Sequence, residues 1–456
     1  MRRVLVANRG EIAVRIIKAC RALGIESVLA VSEIDRDSLP ARMADRVVCI
    51  GPPRPADSYL KIEAIVCAAI GTGSDAVHPG YGFLAERPEL AEACAAHGLA
   101  FIGPSAENIR QMGDKLGARK IARDHGIPVV PGSEKVESLG DALAATEEMR
   151  FPVLLKAAAG GGGRGMKIVA DRSELSGAFE TASAEARSAF GNPVLFIERY
   201  IPNARHIEVQ VIGDHQGNTI HLGERDCSLQ RRYQKIIEEA PAPSISNQLR
   251  EEIRAAGVAI ARAVRYENAG TVEFILDQDT GKFYFMEMNT RIQVEHPVTE
   301  MVTGIDLVKE QIQVAAHKPL SISQSELRIT GHAIECRINA ESVLEGFQQC
   351  PGRITQWRPP QGPNIRVDSH CYPGYFVPPY YDSLLAKVIT LGDDRLEAIE
   401  RMQFALGTFT ISGIDTAIPF LRFLLGDPDY VVGRVNTRWV ETMQEKFATA
   451  QLGAKS

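Results

Sequence analysis

The chain has 456 residues, 45% of them apolar and 24% charged, with a formal net charge of −6. That length exceeds one ordinary core, so about three domains are expected, and the charge excludes nucleic acid held by bulk attraction. A strand-like run begins at residue 2, and no apolar run nears the roughly 20 residues that span a bilayer, so a cytoplasmic protein away from membranes is expected.

Residues 1–31 read as a βαβ unit. Val4–Ala7 is apolar, then Ile12, Ile16, Ile17, Cys20 and Leu23 recur at helical spacing until Gly24, and Ser27–Ser32 resumes a strand. Strand ends at DAVHPG and AFIGP, with helical segments near 58–71 and 86–97, complete an open α/β domain over 1–113. The loop ANRGE after the first strand lacks the glycine fingerprint of a dinucleotide site. Eight scattered cysteines form no C-x-x-C pair and read as small core residues, with Cys227 set apart as site-lining.

Over 114–330 the pattern becomes α+β, with strands in antiparallel pairs. The first pair, PVLLKA and MKIVA, flanks AAAGGGGRGM. Its glycines match G-x-G-x-x-G, but that fingerprint needs a helix to follow, and a strand does. A Walker loop fails because Met166-Lys167-Ile168 follows Gly165, and a linker fails because the flanking strands can pair directly. What remains is a glycine-rich hairpin loop whose backbone N–H groups can close over phosphates, with Lys156 adding a charge. A solvated hairpin tip is the plain alternative.

TVEFILDQDTGKFYFMEMN is a second hairpin. Centred on Thr280, it sets Glu273 directly opposite Glu287 on one face. Opposed carboxylates repel unless a cation lies between them, and oxygen donors without His or Cys select Mg²⁺ or Mn²⁺. If the chain stays extended, Asn289, Arg291, Gln293 and Glu295 share that face, and Met288, Ile292 and Val294 point into the core. The polar stretch ERDCSLQRRYQKIIEEAPAP reads either as a solvated loop or, through its Arg and Lys content, as a site for phosphate or bicarbonate. Over 331–446, strands (HAIECRIN, VITLGD) alternate with Pro/Gly-rich loops before a helical tail. Arg337, in an apolar strand, needs a carboxylate or ligand beside it. HPGYGFL and YYDS read as simple turns.

Taken in order, ANRGEIAVRI, HPGYGFL, KAAAGGGGRGM, ERDCSLQRR, EEAPAP, EMNTRIQVEHPVTE and ECRINAE closely resemble biotin carboxylase, the ATP-grasp component of the biotin-dependent carboxylases, from residue 2 to about 446. The resemblance implies an N-terminal α/β domain (1–113), an ATP-grasp domain (114–330) with a mobile lid near 131–203, and a C-terminal domain (331–446). It implies that ATP and bicarbonate give carboxyphosphate and ADP, and that biotin is then carboxylated on its ureido nitrogen.

Carried over by position, Lys115, Lys156, Glu198, Arg199, Ile201, His206, Gln230 and Tyr233 resemble the ATP-binding residues, with Gly162, Gly163, Arg164 and Gly165 as the lid. Glu273, Glu287 and Asn289 resemble the metal ligands. Bicarbonate would be held by Lys235, Arg291, Gln293 and the backbone at Val294. Glu295 resembles the general base, for which a raised pKa is expected. Arg337 would stabilise the biotin enolate, with Tyr81 near the ureido ring. Tyr233 departs from the family's His or Asn, and ESVLEGFQQCPG departs from a shorter proline-rich segment.

No A-M-K-M-type biotinylated hairpin is visible, so the expected partners are a separate biotin carboxyl carrier protein and carboxyltransferase subunits, around a homodimer. The acceptor would be acetyl-CoA, with a role in fatty acid biosynthesis, or else pyruvate, propionyl-CoA or another acyl-CoA. Three other classes compete: a carbamoyl-phosphate-type synthetase, a non-catalytic nucleotide sensor and an α/β scaffold.

Overall fold

The computed structural model describes residues 1–147, 149–158 and 165–453. Its first sheet is parallel: β1 (Arg3–Val6), β2 (Glu26–Ser32), β3 (Arg46–Gly51), β4 (Ala76–His78) and β5 (Ala100–Phe101), in the order β3-β2-β1-β4-β5. Its inner strands β1, β2 and β4 are apolar on both faces because both are covered. Val4 and Val6 pack with Ile12 and Ile16 of the Gly10–Ala22 helix, while Leu5 packs with Ile65 and Leu90 on the other side. The strand order reverses between β1 and β4. Such a switch point opens a crevice beyond the carboxyl ends of the strands. Asn8 ties the two loops there together, its Nδ2 donating to the carbonyls of Pro79 at 2.6 Å and Tyr81 at 2.7 Å.

A small antiparallel sheet follows: β6 (Val153–Ala157), β7 (Lys167–Val169) and β8 (Leu195–Arg199), in the order β7-β6-β8. Val153 pairs with Val169 and Leu155 with Lys167, so β6 and β7 pair directly across the glycine stretch, as expected. The Leu175–Phe190 helix covers this sheet through Leu175 and Ala182. Gly162, Gly163 and Arg164 lie outside the described residues.

The largest sheet is antiparallel. It comprises β9 (Ala204–Gly213), β10 (Thr219–Arg231), β11 (Gln234–Ala240), β12 (Asn268–Asp277), β13 (Lys282–Asn289), β14 (His332–Asn339) and two later strands, Ile365–Ser369 and Leu384–Gly392. The order runs β13-β12-β9-β10-β11-β14, then Leu384–Gly392, then Ile365–Ser369. One hydrogen-bonded surface therefore carries Glu273 near one end and Arg337 near the other.

The loop reading of 224–240 is overturned. These residues form the β10–β11 hairpin at the centre of the sheet, with Glu224, Arg225, Asp226 and Glu238 buried. Its turn has left-handed backbone at Arg232 (φ 46°) and Tyr233 (φ 65°), the conformation of tight hairpin turns. That turn usually carries Asn or Gly, so its sequence gave no turn signal. The reading of the cysteines other than Cys227 as core residues holds for Cys20, Cys94, Cys336 and Cys371 and fails for Cys49 and Cys67, which are exposed. No helix among the described residues is long and apolar enough to cross a membrane.

Candidate active site

A cavity of about 1010 Å³ lies between the large sheet, the small sheet and the switch point of the first. Every described candidate residue lines it except Gly165. Gly165 sits just behind, at φ +70°, where a Cβ would come within 3.1 Å of the Ala157 Cβ.

The β12–β13 hairpin does set Glu273 opposite Glu287, but by a route the sequence did not reveal. Near the turn the register is one residue tighter, with Asp277 opposite Lys282 and Phe274 opposite Phe285. A bulge at Met286 then restores the expected pairing. Without that extra residue Glu273 would face Met286, and Glu287 would point to the other side. The chain does not stay extended past Asn289. It bends at Thr290 and Arg291, and Glu295 arrives at the N-terminus of the His296–Thr303 helix. Ile292 and Met288 are buried as expected, whereas Val294 lines the cavity with its polar neighbours.

Each of the two opposed carboxylates has a protein cation of its own. Glu287 meets Lys115 Nζ at 3.3 Å. Glu273 accepts from Lys235 Nζ at 3.0 Å and Gln293 Nε2 at 2.8 Å, and meets His206 Nε2 at 3.1 Å. Asn289 Oδ1 accepts from Arg291 at 3.2 Å. The donor set is still all oxygen and opens on one cavity, which fits a hard divalent cation such as Mg²⁺. Binding it would draw Glu273 and Asn289 away from these partners.

Lys235 is the hub of the site. Its Nζ donates to Glu208 at 2.6 Å and Glu295 at 2.6 Å besides Glu273. Glu208, fully buried, also takes Arg225 Nε at 2.5 Å. Arg225 then donates to Gln293 at 3.0 Å and Thr299 at 2.9 Å. The remaining oxygen of Glu295 accepts from Arg337 at 2.9 Å, and Arg337 reaches Glu238 at 2.5 Å. The need of Arg337 for carboxylates is thus met.

The expectation of a raised Glu295 pKa is corrected. Burial would raise it, but Lys235, Arg337 and Arg225 hold this carboxyl well below the ordinary glutamate range. A neighbouring carboxyl that is pushed up, to about 7, is Glu238, through burial that outweighs Arg337. Arg291 turns to Glu86 at 2.9 Å. The Val294 carbonyl is taken by Lys387 at 2.8 Å, which leaves its N–H as the group of the right sign for an anion. Tyr81 donates its hydroxyl to Glu11, which lies 3.1 Å from Lys387. The turn reading of HPGYGFL thus understates Tyr81.

At the opposite end, Lys156 and Arg119 share Glu198, with Lys156 Nζ at 3.0 Å. Burial and then Lys115 push the Lys156 ammonium down to about 7. Arg199 leans toward the Tyr284 hydroxyl at 3.1 Å, Gln230 and Ile201 are buried, and Tyr233 is half exposed at the β10–β11 turn. Lys167 pairs with Glu185 at 2.8 Å.

Glu208, Arg119, Glu86, Glu11 and Lys387 were missed. Glu208 had a signal: in RHIEVQVIG, His206, Glu208 and Gln210 alternate with Ile207, Val209 and Val211, and all are buried. Glu86 and Arg119 had none, because only the tertiary fold brings them in.

Three family models match the chain: biotin carboxylase N-terminal domain over residues 1–109, carbamoyl-phosphate synthase L chain ATP binding domain over 114–323, and biotin carboxylase C-terminal domain over 335–442. The middle match alone would leave the carbamoyl-phosphate reading open; the flanking two decide against it. Biotin carboxylase 1 of Bacillus subtilis is 53% identical over 97% of this chain and 98% of its own. A biotin carboxylase–β,γ-ATP complex from Campylobacter jejuni superposes with a TM-score of 0.95 at 45% identity, covering 97% of this chain and 98% of that one. The biotin carboxylase domain dimer of Hydrogenobacter thermophilus 2-oxoglutarate carboxylase, solved with MgADP, ADP and bicarbonate, gives 0.94 at 47% identity over 97% of both chains. With these matches over nearly its whole length, this chain belongs to the biotin carboxylase family.

Proposed function

We propose that the cavity carries out ATP-dependent carboxylation of biotin borne on a separate carrier protein, with bicarbonate as the carbon source. One observation carries the reading: Lys235, Glu295 and Arg337 form a connected cluster in the same cavity as the opposed Glu273 and Glu287. Lys156, Lys115 and His206 would hold the triphosphate, with Glu198, Arg199, Ile201, Gln230 and Tyr233 around the nucleoside. Glu273, Glu287 and Asn289 would hold Mg²⁺, or Mn²⁺, which when bound neutralises charge on the transferring phosphoryl group.

Bicarbonate would sit among Lys235, Arg291, Gln293 and the Val294 N–H. An oxygen of bicarbonate takes the γ-phosphoryl group, ADP leaves, and carboxyphosphate breaks its C–O bond to give CO₂ and phosphate. Glu295 accepts the bicarbonate proton. In the resting arrangement its cations make it a weak base, and an incoming anion competes for those same cations. Removing even part of that stabilisation raises its basicity when the substrate is in place. The released phosphate takes the ureido N–H proton and the nitrogen attacks CO₂ to form the C–N bond, while Arg337 presents a planar fork to the anionic ureido oxygen and Tyr81 borders that end.

The division into 1–113, 114–330 and 331–446 belongs to the same proposal, as do a cytoplasmic location, a homodimer and the carrier and carboxyltransferase partners. The acceptor proposed first is acetyl-CoA, in fatty acid biosynthesis, with the 2-oxoglutarate and pyruvate types as competitors. ATP hydrolysis that depends on bicarbonate and rises with free biotin tests the reading. Hydrolysis indifferent to biotin would refute it, and co-purification of the carrier and carboxyltransferase would identify the acceptor.

A further inference from the structure

Glu238 on β11 and Glu335 on β14 are directly opposed across the two strands, and both are fully buried. Their oxygens are poorly served. Glu238 Oε1 takes Arg337, but Glu238 Oε2 and both oxygens of Glu335 have no hydrogen-bond partner among the described residues. Buried polar atoms left alone in this way are destabilising, and more so when charged. Two carboxyls facing each other in a dry interior cannot both ionise. A proton held between them would satisfy the orphaned oxygens and remove one of the two charges.

Among the described residues Glu335 makes no ion pair, and Lys387, the cation whose charge acts on it most, is held by Glu11. Arg337, two residues along β14, is committed to Glu238 and Glu295. Lys387, opposite Arg337 on the next strand, is committed to Glu11 and the Val294 carbonyl. Lys235 faces Glu208, Glu273 and Glu295. On β10, Arg225 is tied to Glu208, and burial holds the Cys227 thiol neutral. The His296–Thr303 helix crosses the same strands, with His296 kept neutral by burial and by Lys387 and Glu300 bound to Arg15 and Arg366. Cys336 points to the apolar core on the other face.

We propose that Glu238 and Glu335 hold one proton between them, and that this proton sets how firmly Arg337 is kept beside Glu295 and away from an anionic biotin ureido group. The positioning half rests on the proposed function above; the shared proton does not. With the proton on Glu238, Arg337 keeps one charged partner and is free to turn. With the proton on Glu335, Glu238 is ionised and clamps it. Burial raises both carboxyls, Glu238 to about 7, and the opposed pair titrates as a unit. Both are positioning residues, acting on the reaction through Arg337.

The test uses the full chain. Infrared spectra at neutral pH should show a protonated buried carboxyl whose band moves in D₂O, and Glu335→Gln should remove it. The pH profile of kcat/KM for free biotin should then shift by about one unit, with the KM for ATP unchanged. No protonated-carboxyl band in the wild type, or a band surviving in both Glu335→Gln and Glu238→Gln, overturns the shared proton. Loss of the band with an unmoved biotin profile overturns the positioning role. Should Glu335→Gln fail to fold, the wild-type band and its titration decide the first point, and Glu238→Gln the second.

Discussion

The two ends of the cavity are built on opposite plans. Around Lys235 the cations are already neutralised: one ammonium holds three carboxylates, and Arg225 and Arg337 complete the set. Around Lys156 the balance is reversed, with Lys156 and Arg119 on the single carboxylate of Glu198, and Lys115 close by on Glu287. An anion reaching the first end must displace internal carboxylates. An anion reaching the second meets surplus positive charge. The first plan suits a small substrate that needs strict orientation, and the second suits a highly charged one that the site must attract.

The largest test of this contrast is Lys235→Met. It strands three buried carboxylates, so it should cost about 3–5 kcal/mol in urea unfolding and abolish bicarbonate-dependent ATP hydrolysis. An unchanged urea midpoint would break the comparison. Glu295→Gln keeps the shape and should lower biotin carboxylation by about 10²–10⁴-fold while nucleotide affinity is retained. Because the Glu295 pKa is depressed from 4.5, its ionised form stabilises the fold above that pH, and this stability is lost as pH falls further. Glu295→Gln should therefore flatten the acid limb of a stability–pH curve; an equally steep limb would count against the assigned ion pairs.

Glu287→Gln should raise the Mg²⁺ concentration for half-maximal activity by about tenfold, and it should free Lys115. Gly165→Ala places a side chain at φ +70° against Ala157, a strain of about 1–2 kcal/mol, so the KM for ATP should rise a few-fold with biotin kinetics unmoved. Equal effects on both substrates would erase the distinction between the two ends. The smallest signal is a proton. Lys156, held at about 7, should be protonated when a triphosphate arrives. Between that value and the ordinary lysine value of 10.5, nucleotide binding should take up as much as one proton, read by calorimetry in buffers of different ionisation heat. Heats independent of buffer would show Lys156 already charged.

How much of this was legible in sequence depended on whether a residue's role followed from local periodicity. The parallel first sheet was legible because its apolar runs and helical spacings are local. The Glu273–Glu287 opposition was legible from symmetry about Thr280, yet it holds only because a bulge at Met286 offsets a tighter turn. Residues 224–240 were illegible because their charges are satisfied across strands that lie far apart in sequence; Arg225 alone draws on Glu208, Thr271 and Gln293. A window of sequence sees such charges as exposed, and only the paired sheet shows them buried. The same limit explains why Glu335 drew no notice: its strand reads as apolar, and its partner lies on β11.

The unbroken sheet from β13 to Ile365–Ser369 has a practical meaning for anyone dividing this molecule. A fragment starting near residue 331 would begin with β14 stripped of β11, a bare edge in the middle of a former sheet. Such an edge templates aggregation. It would also carry Arg337 without Glu238 or Glu295.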